Sequence, residues 1–469
     1  MPHEQRRAEL MLELADASRN RGLGDAQMPR GIAQAAALRY SDHVPDMIQL
    51  HPDTQIASLG KNCYHPVSHR RMLGWCVFVL VGGLTVKRST DRILTTHVGS
   101  LPRPAFLLDL MKAKLAGAAY DKNAYDNEVR NAVAATVNKQ VETGIDVVAD
   151  GEMSKPGFFV YVRSRLAGFE ARPNEKFRMF ADELAHFPEY YKQYFERAMF
   201  GATVAPAVPL YCVGPVSYTG QADLKQDIDN LKAAIGAAKA TEAFIPSTAP
   251  SGVGYNAYYK TEEEYFHAVG EALRTEYLAI VEAGFLLQVD DPFLSDIFGD
   301  STLDVAARRK RADMYVESVN HALRGIPEDR VRFHTCYGIN EGPRIYEAAL
   351  KDVVGYMLKV NAQAYSFEGA NARHEHEYHV FESVKLLEGK ILIPGVITHA
   401  SNIVEHPELI AERLVRYAKL VGRENVIAGA DCGFSSQACY HTEVHPTVMW
   451  EKFKAMVEGA RLASQQLWK

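Results

Sequence analysis

Arg332-Phe333-His334-Thr335-Cys336-Tyr337-Gly338 closes an apolar run that starts at Val331, and its polar end decides how the chain is read. In a strand, alternate side chains share a face. The His334 imidazole and Cys336 thiolate therefore point the same way, as two ligands of one metal must. A lone His-x-Cys arises by chance in many chains, but two further runs repeat the pattern. Ala364-Tyr365-Ser366-Phe367 ends on Glu368, and Val426-Ile427-Ala428-Gly429-Ala430-Asp431 leads into Cys432. Three strand-like runs thus each end on a ligand. His334, Cys336, Glu368 and Cys432 make a tetrahedral set suited to Zn2+.

Working outward, strand-like and helix-like runs alternate from residue 87 to the end. The predicted strands are Ile93–Val98, Ile145–Asp150, Pro209–Val213, Glu242–Pro246, Phe285–Asp290, Val331–Cys336, Ala364–Glu368, Ile391–Val396 and Val426–Ala430. The clearest helix lies between His406-Pro407 and Gly422. Proline suits a first helical turn. Ile410, Leu414, Tyr417, Ala418 and Val421 recur at helical spacing, and Gly422 is a natural stop. Such alternation means parallel strands with helices outside. Eight units close a (β/α)8 TIM barrel, and nine runs are present. Pro209–Val213 is read as the extra one, a hairpin arm in an insertion after strand 2. The aromatic segment Phe158–Phe200 falls in that insertion, as packed core or as a lid over the barrel mouth.

The chain has 469 residues, 47% of them hydrophobic, enough for one large barrel. A net charge of −6 and a pI near 6.3 exclude a basic nucleic-acid surface. Six cysteines in so long a chain are no disulfide framework, which fits a reducing, cytoplasmic setting. Cys63, Cys76, Cys212 and Cys439 read as plain free thiols. Residues 1–86 form an irregular N-terminal extension and 87–469 the barrel. Met72–Val86 is apolar but short of the ~20 residues that a membrane span needs, so no stable membrane insertion is expected. The ordered pattern starts abruptly at Val86, and the upstream part is read either as a mis-called start or as a real appendage, disordered or touching a membrane.

Polar residues gather where the strands end. His97-Val98-Gly99-Ser100 follows the first, Asp150-Gly151-Glu152 the second, and Asp290-Asp291-Pro292 the run from 285. With the three ligand stretches these mark one site, because barrels of this kind place their active sites at the C-terminal ends of the strands. In order and spacing, Thr95-Thr96-His97-Val98-Gly99-Ser100, Asp150-Gly151-Glu152, Gln288-Val289-Asp290-Asp291-Pro292, His334-x-Cys336, Glu368 and Asp431-Cys432-Gly433 resemble cobalamin-independent methionine synthase. The likeness is to the catalytic C-terminal barrel of that family. It implies a (β/α)8 barrel that transfers a methyl group to a zinc-bound thiol. It also implies that Ser100, Glu152 and Asp290 hold homocysteine, and that a histidine after the seventh strand takes part, with Asp290, in catalysis. His399 stands nearest that position, one place out of register.

Full-length members carry a second, N-terminal barrel that helps to bind a polyglutamyl folate. Here 86 residues stand in its place, so the donor is left open among methyl-folate, methyl-corrinoid and an epoxide. The single-barrel branch also resembles epoxyalkane:coenzyme M transferase, which opens an epoxide with a thiol, and the metal ligands alone do not separate the two. The ligand chemistry itself favours thiols. Two thiolates, a carboxylate and an imidazole set three negative charges against two positive. Such a centre is a poor Lewis acid for a carbonyl and a good host for a further thiolate. A zinc hydrolase, which needs an activated water, is a third reading. His374-Glu375-His376-Glu377-Tyr378-His379 resembles a second metal cluster but is read as a solvated helix start.

Overall fold

Eight of the nine predicted runs form one parallel sheet, and the ninth lies outside it. The computed structural model describes residues 85–175, 180–197, 203–205, 208–238, 240, 242–338 and 340–469. In chain order the strands are β1 Leu94–Thr95, β2 Val147–Ala149, β3 Leu166–Ala171, β4 Leu210–Tyr218, β5 Glu242–Thr248 and β6 Tyr255–Asn256. They continue with β7 Leu286–Asp290, β8 Val331–His334, β9 Ala364–Phe367, β10 Ile391–Ile397 and β11 Ile427–Ala430. The large sheet runs β1-β11-β10-β9-β8-β7-β5-β2. A parallel bridge between Thr96 and Val147 brings β1 back to β2 and closes the barrel. The (β/α)8 expectation therefore holds.

Both faces of these strands are buried. Every residue of β5, β7 and β10 is inaccessible, as parallel strands covered by helices require. Inside the barrel, Val86, Leu94, Val147, Ala149, Phe244, Leu286, Ala364, Ile391, Ile393 and Ile427 form an apolar plug. Next along β8 comes Arg332, with its guanidinium 3.9 Å from the centre of the Phe244 ring. It donates to Thr96 Oγ1 and the His97 carbonyl, each at 3.0 Å. Alternation then carries His334 to the same face as Arg332, and Asp290 to the same face as Gln288.

The predicted helix is Pro407–Val421, with His406 capping its start. Gly422, at φ 91°, ends it where a side chain would be strained. β4, the extra run, pairs antiparallel with β3 in a separate three-stranded sheet completed by β6. The insertion therefore lies where it was predicted. β3 escaped the sequence reading because Leu-Ala-Gly-Phe-Glu-Ala lacks a clean alternation. Some strands run past their predicted ends, β5 to Thr248 and β10 to Ile397, and others stop short. β1 stops at Thr95 and β8 at His334, because the chain beyond them turns into site loops. Among the described residues no helix is long and apolar enough to cross a membrane. Residues 1–84, with Cys63, Cys76 and the readings made of them, lie outside the described part. Val86 is buried and donates its N–H to the Asp329 carbonyl at 2.7 Å.

The aromatic segment divides. Tyr191 and Tyr194 centre a small cluster of their own with Phe180, Leu184, Phe187, Tyr190 and Phe195. It contacts the loops that follow β8 and β11. Tyr346 N–H donates to Glu183 Oε1 at 3.0 Å, His186 Nδ1 lies 2.9 Å from Tyr346 Oη, and Tyr194 Oη donates to Glu443. Both loops leave the C-terminal ends of barrel strands. The cluster thus covers part of the mouth and is not core.

Candidate metal and thiol site

Ligand atoms of His334, Cys336 and Cys432 all lie within 4.8 Å of one another, and all three residues are buried. The two sulfurs are 3.4 Å apart. His334 Nδ1 sits 3.1 Å from Ser366 Oγ, while its Nε2 is buried without a hydrogen-bond partner among the described residues. Burial, Arg332 and His399 pull this imidazole down to about 3, so it is neutral. A neutral ring fixed through Nδ1 offers its Nε2 lone pair, as a metal ligand does. Cys432 and burial push the Cys336 thiol well up. Two crowded, buried thiols beside an unanswered imidazole nitrogen fit a soft divalent ion.

Glu368 departs from the four-ligand expectation and lies outside this group. Its Oε2 accepts from Arg344 and from Asn371 Nδ2, both at 2.7 Å, and its Oε1 accepts the Tyr337 N–H at 3.1 Å. Both oxygens are thus already engaged. Arg344 gave no sequence signal, because its role needs a left-handed backbone (φ 60°) far from any strand. Asn371 Nδ2 also approaches Asp431 Oδ2 at 3.1 Å, and Asp431 Oδ1 accepts the N–H groups of Gly369 and Ala370 at 2.7 Å. Asp431 therefore ties the loop after β9 to the one bearing Cys432.

A second set of polar groups comes from β1, β2 and β7. Glu152 is 2% exposed and adopts φ 56°, held by a 2.9 Å bond from its N–H to Asp150 Oδ1. Its Oε2 has no hydrogen-bond partner among the described residues, and Arg103 stands 4.0 Å away. The terminal nitrogens of Arg103 donate to the carbonyls of Leu101, Ser435 and Lys155, while its Nε has no hydrogen-bond partner among the described residues. Asp290 accepts from Gln288 Nε2 at 2.9 Å, and burial with nearby Glu152 holds its carboxyl well above the usual range. Ser100 is buried against Gly433. A Cβ on residue 433 would lie 1.9 Å from Ser100 Oγ, which explains glycine after Cys432. His97 orders this loop: Nε2 lies 2.6 Å from Gln140 Oε1, and Nδ1 accepts the Gly99 N–H at 3.1 Å.

His399 is buried, with Nε2 2.8 Å from Asn340 Oδ1 and no partner for Nδ1 among the described residues. Burial lowers it to about 3 despite nearby Asp431. The histidine-rich stretch does start a helix, Glu375–Glu382, with His376 and His379 exposed as expected, but His374 at its head is not solvated. His374 is buried between Glu347 (2.8 Å) and Glu377 (2.7 Å) and stacked 4.0 Å from Tyr337. Those carboxylates overcome burial and raise it to about 9, so it carries a proton and is no ligand.

A cavity of about 950 Å3, open mouth included, adjoins the two thiols. Phe158, Phe159, Phe293 and Phe434 line it, together with Asp296 and Glu443. Cys439, read as a plain thiol, also lines it.

Residues 93–197 and 248–460 match the family described as cobalamin-independent synthase, catalytic domain. The gap between the two blocks contains β4. A methionine synthase of Saccharolobus islandicus (strain L.S.2.15 / Lassen #1) is 24% identical over 378 residues, which is 80% of this chain and 95% of that one. One from Saccharolobus solfataricus is 23% identical over 379 residues, with the same shares. A B12-independent methionine synthase from Shewanella sp. W3-18-1, solved with selenomethionine, has the same fold. Its TM-score is 0.60 at 20% identity, covering 80% of this chain and 99% of that one.

Proposed function

The chain belongs to the cobalamin-independent synthase catalytic-domain family, and on that premise we propose that it methylates the thiol of homocysteine to methionine at a zinc ion. His334, Cys336 and Cys432 would hold the ion, with Glu368 as an exchangeable fourth ligand. Bound there, zinc supplies the acidity that ionises a thiol near neutral pH while leaving its sulfur nucleophilic. The observation that carries the reading is a His334 ring nitrogen within 4.8 Å of two buried thiols, on a ring whose Nε2 has no hydrogen-bond partner among the described residues.

The chain's own residues select the acceptor. Glu152 and Asp290 are buried carboxyl groups suited to an ammonium. The Ser100 hydroxyl suits a carboxylate. A sulfonate, as in coenzyme M, would meet two acidic groups instead, which argues for the amino-acid thiol over the epoxide-opening reading. His399, neutral with a free Nδ1, accepts a hydrogen bond beside the reacting sulfur. Arg344 and Asn371 retain Glu368 when it is not a ligand.

The test incubates zinc-loaded protein with homocysteine or coenzyme M, each with a panel of methyl donors and a short epoxide, and identifies products by mass. Methionine formed by the parent and not by Cys432→Ser is the expected result. A hydroxyalkyl thioether from coenzyme M, with no methionine from any donor, would overturn it.

A further inference from the structure

The cavity beside the thiols has a definite chemical character. Four phenylalanine rings line it. Three of them meet in one group, with centroids 5.0 Å apart for Phe158–Phe159, 6.2 Å for Phe159–Phe293 and 6.4 Å for Phe158–Phe293. Neither lysine nor arginine is among the described residues that line it. Asp296, half-buried in the wall, makes no hydrogen bond or ion pair through its carboxyl with any described residue. Burial and the acids Glu347, Asp291 and Asp300 push that carboxyl up to about 8. A carboxyl left without a cation, among aromatic rings and near other acids, is an environment that lowers its energy by admitting positive charge.

We propose that this cavity binds the methyl donor, and that the donor is a methylated onium cation, a sulfonium or a quaternary ammonium. The inference rests on the methyl-transfer reading above and names the substrate class of its second half. Aromatic rings attract a methylated cation through their quadrupole, and Asp296, giving up its proton to solvent as the cation enters, supplies the counter-charge. A donor with a polyglutamate tail would instead bring anions to a rim carrying Asp296 and Glu443. The step balances without further reagents. The acceptor thiol first gives its proton to solvent. Its thiolate sulfur then forms a bond to the methyl carbon, and the bond from that carbon to the onium sulfur or nitrogen breaks. The electron pair leaves on a neutral thioether or tertiary amine. Opposite charges cancel, so the leaving group needs no proton.

Two measurements test this. Calorimetry on the zinc-loaded protein compares choline and trimethylsulfonium with 3,3-dimethylbutan-1-ol, the uncharged carbon analogue of choline. Both cations should bind at least tenfold more tightly than the alcohol. Phe293→Leu and Asp296→Asn should each weaken them about tenfold and leave homocysteine binding unchanged. Equal binding of cation and alcohol, or of parent and Asp296→Asn, would overturn the proposal whether or not turnover is seen. Turnover with homocysteine then compares S-methyl sulfonium, trimethylammonium and methyl-folate donors. Methionine from one onium donor is expected, and which one works separates sulfonium from ammonium. Methionine from methyl-folate alone would sink the inference and leave the methyltransferase reading standing. Failure of homocysteine to bind at all would count against that reading instead.

Discussion

Replacing Glu152 by glutamine should weaken homocysteine binding about tenfold without unfolding the protein. Glu152 is buried, and its Oε2 has no partner among the described residues. An arriving ammonium would answer that oxygen with a charge-assisted hydrogen bond, worth about 1.5–3 kcal/mol. At about 1.4 kcal/mol per decade, this is roughly 10–150-fold in Kd. The loss should fall at the lower end. Asp290 is pushed up partly by Glu152, so neutralising Glu152 lets Asp290 ionise more readily and take over part of the task. Stability should hold, because glutamine keeps the shape of the side chain and Arg103, 4.0 Å from Glu152, keeps its three carbonyl acceptors. The assay is calorimetric titration of zinc-loaded parent and Glu152→Gln with homocysteine and with 4-mercaptobutanoate, which lacks only the amino group. The factor should appear for homocysteine and vanish for 4-mercaptobutanoate. An equal loss for both thiols would refute the assignment of the ammonium to Glu152.

Arg344→Met leaves Glu368 buried without its cation and should cost about 3–5 kcal/mol, read as a lower midpoint in denaturant. Unchanged stability would mean that the 2.7 Å pair contributes nothing. Gly433→Ala should lower homocysteine affinity and cost roughly 1–3 kcal/mol of stability, because the new methyl would lie 1.9 Å from Ser100 Oγ. Equal affinity in titrations would show that Ser100 is not where homocysteine binds. His374, raised from 6.5 to about 9, binds more protons in the folded state between those values. Its stabilisation, on the order of 3 kcal/mol, is present in full below about pH 6.5 and lost as pH rises through 9. In denaturant titrations from pH 6 to 9.5 the parent should lose more stability than His374→Gln. Parallel curves would contradict the raised value.

The barrel was legible because burial on both faces writes parallel strands as short apolar runs, and because site residues cluster where those runs end. His334, Cys336 and Cys432 could be paired from this position alone, since alternation fixes which side chains face inward. Glu368 shows the limit. Its place at a strand end was readable, but its engagement by Arg344 depends on a loop residue 24 positions earlier with a left-handed backbone. Arg332 carries no signal in the sequence, since an arginine inside a barrel is recognisable only once Phe244 and the His97 carbonyl are seen beside it. His374, expected at a solvated helix start, is a similar case. Its burial as a protonated ion pair shows only once the carboxylates of Glu347 and Glu377 are seen on either side of it. The aromatic insertion could not be divided into wall and cover without the loops that it touches.

X-ray absorption at the zinc edge, recorded with and without homocysteine, tests the central claim most directly. The account predicts two sulfur ligands without the thiol, from Cys336 and Cys432, and three with it, as the acceptor sulfur joins the metal. A sulfur count that stays unchanged when saturating homocysteine is bound would contradict it.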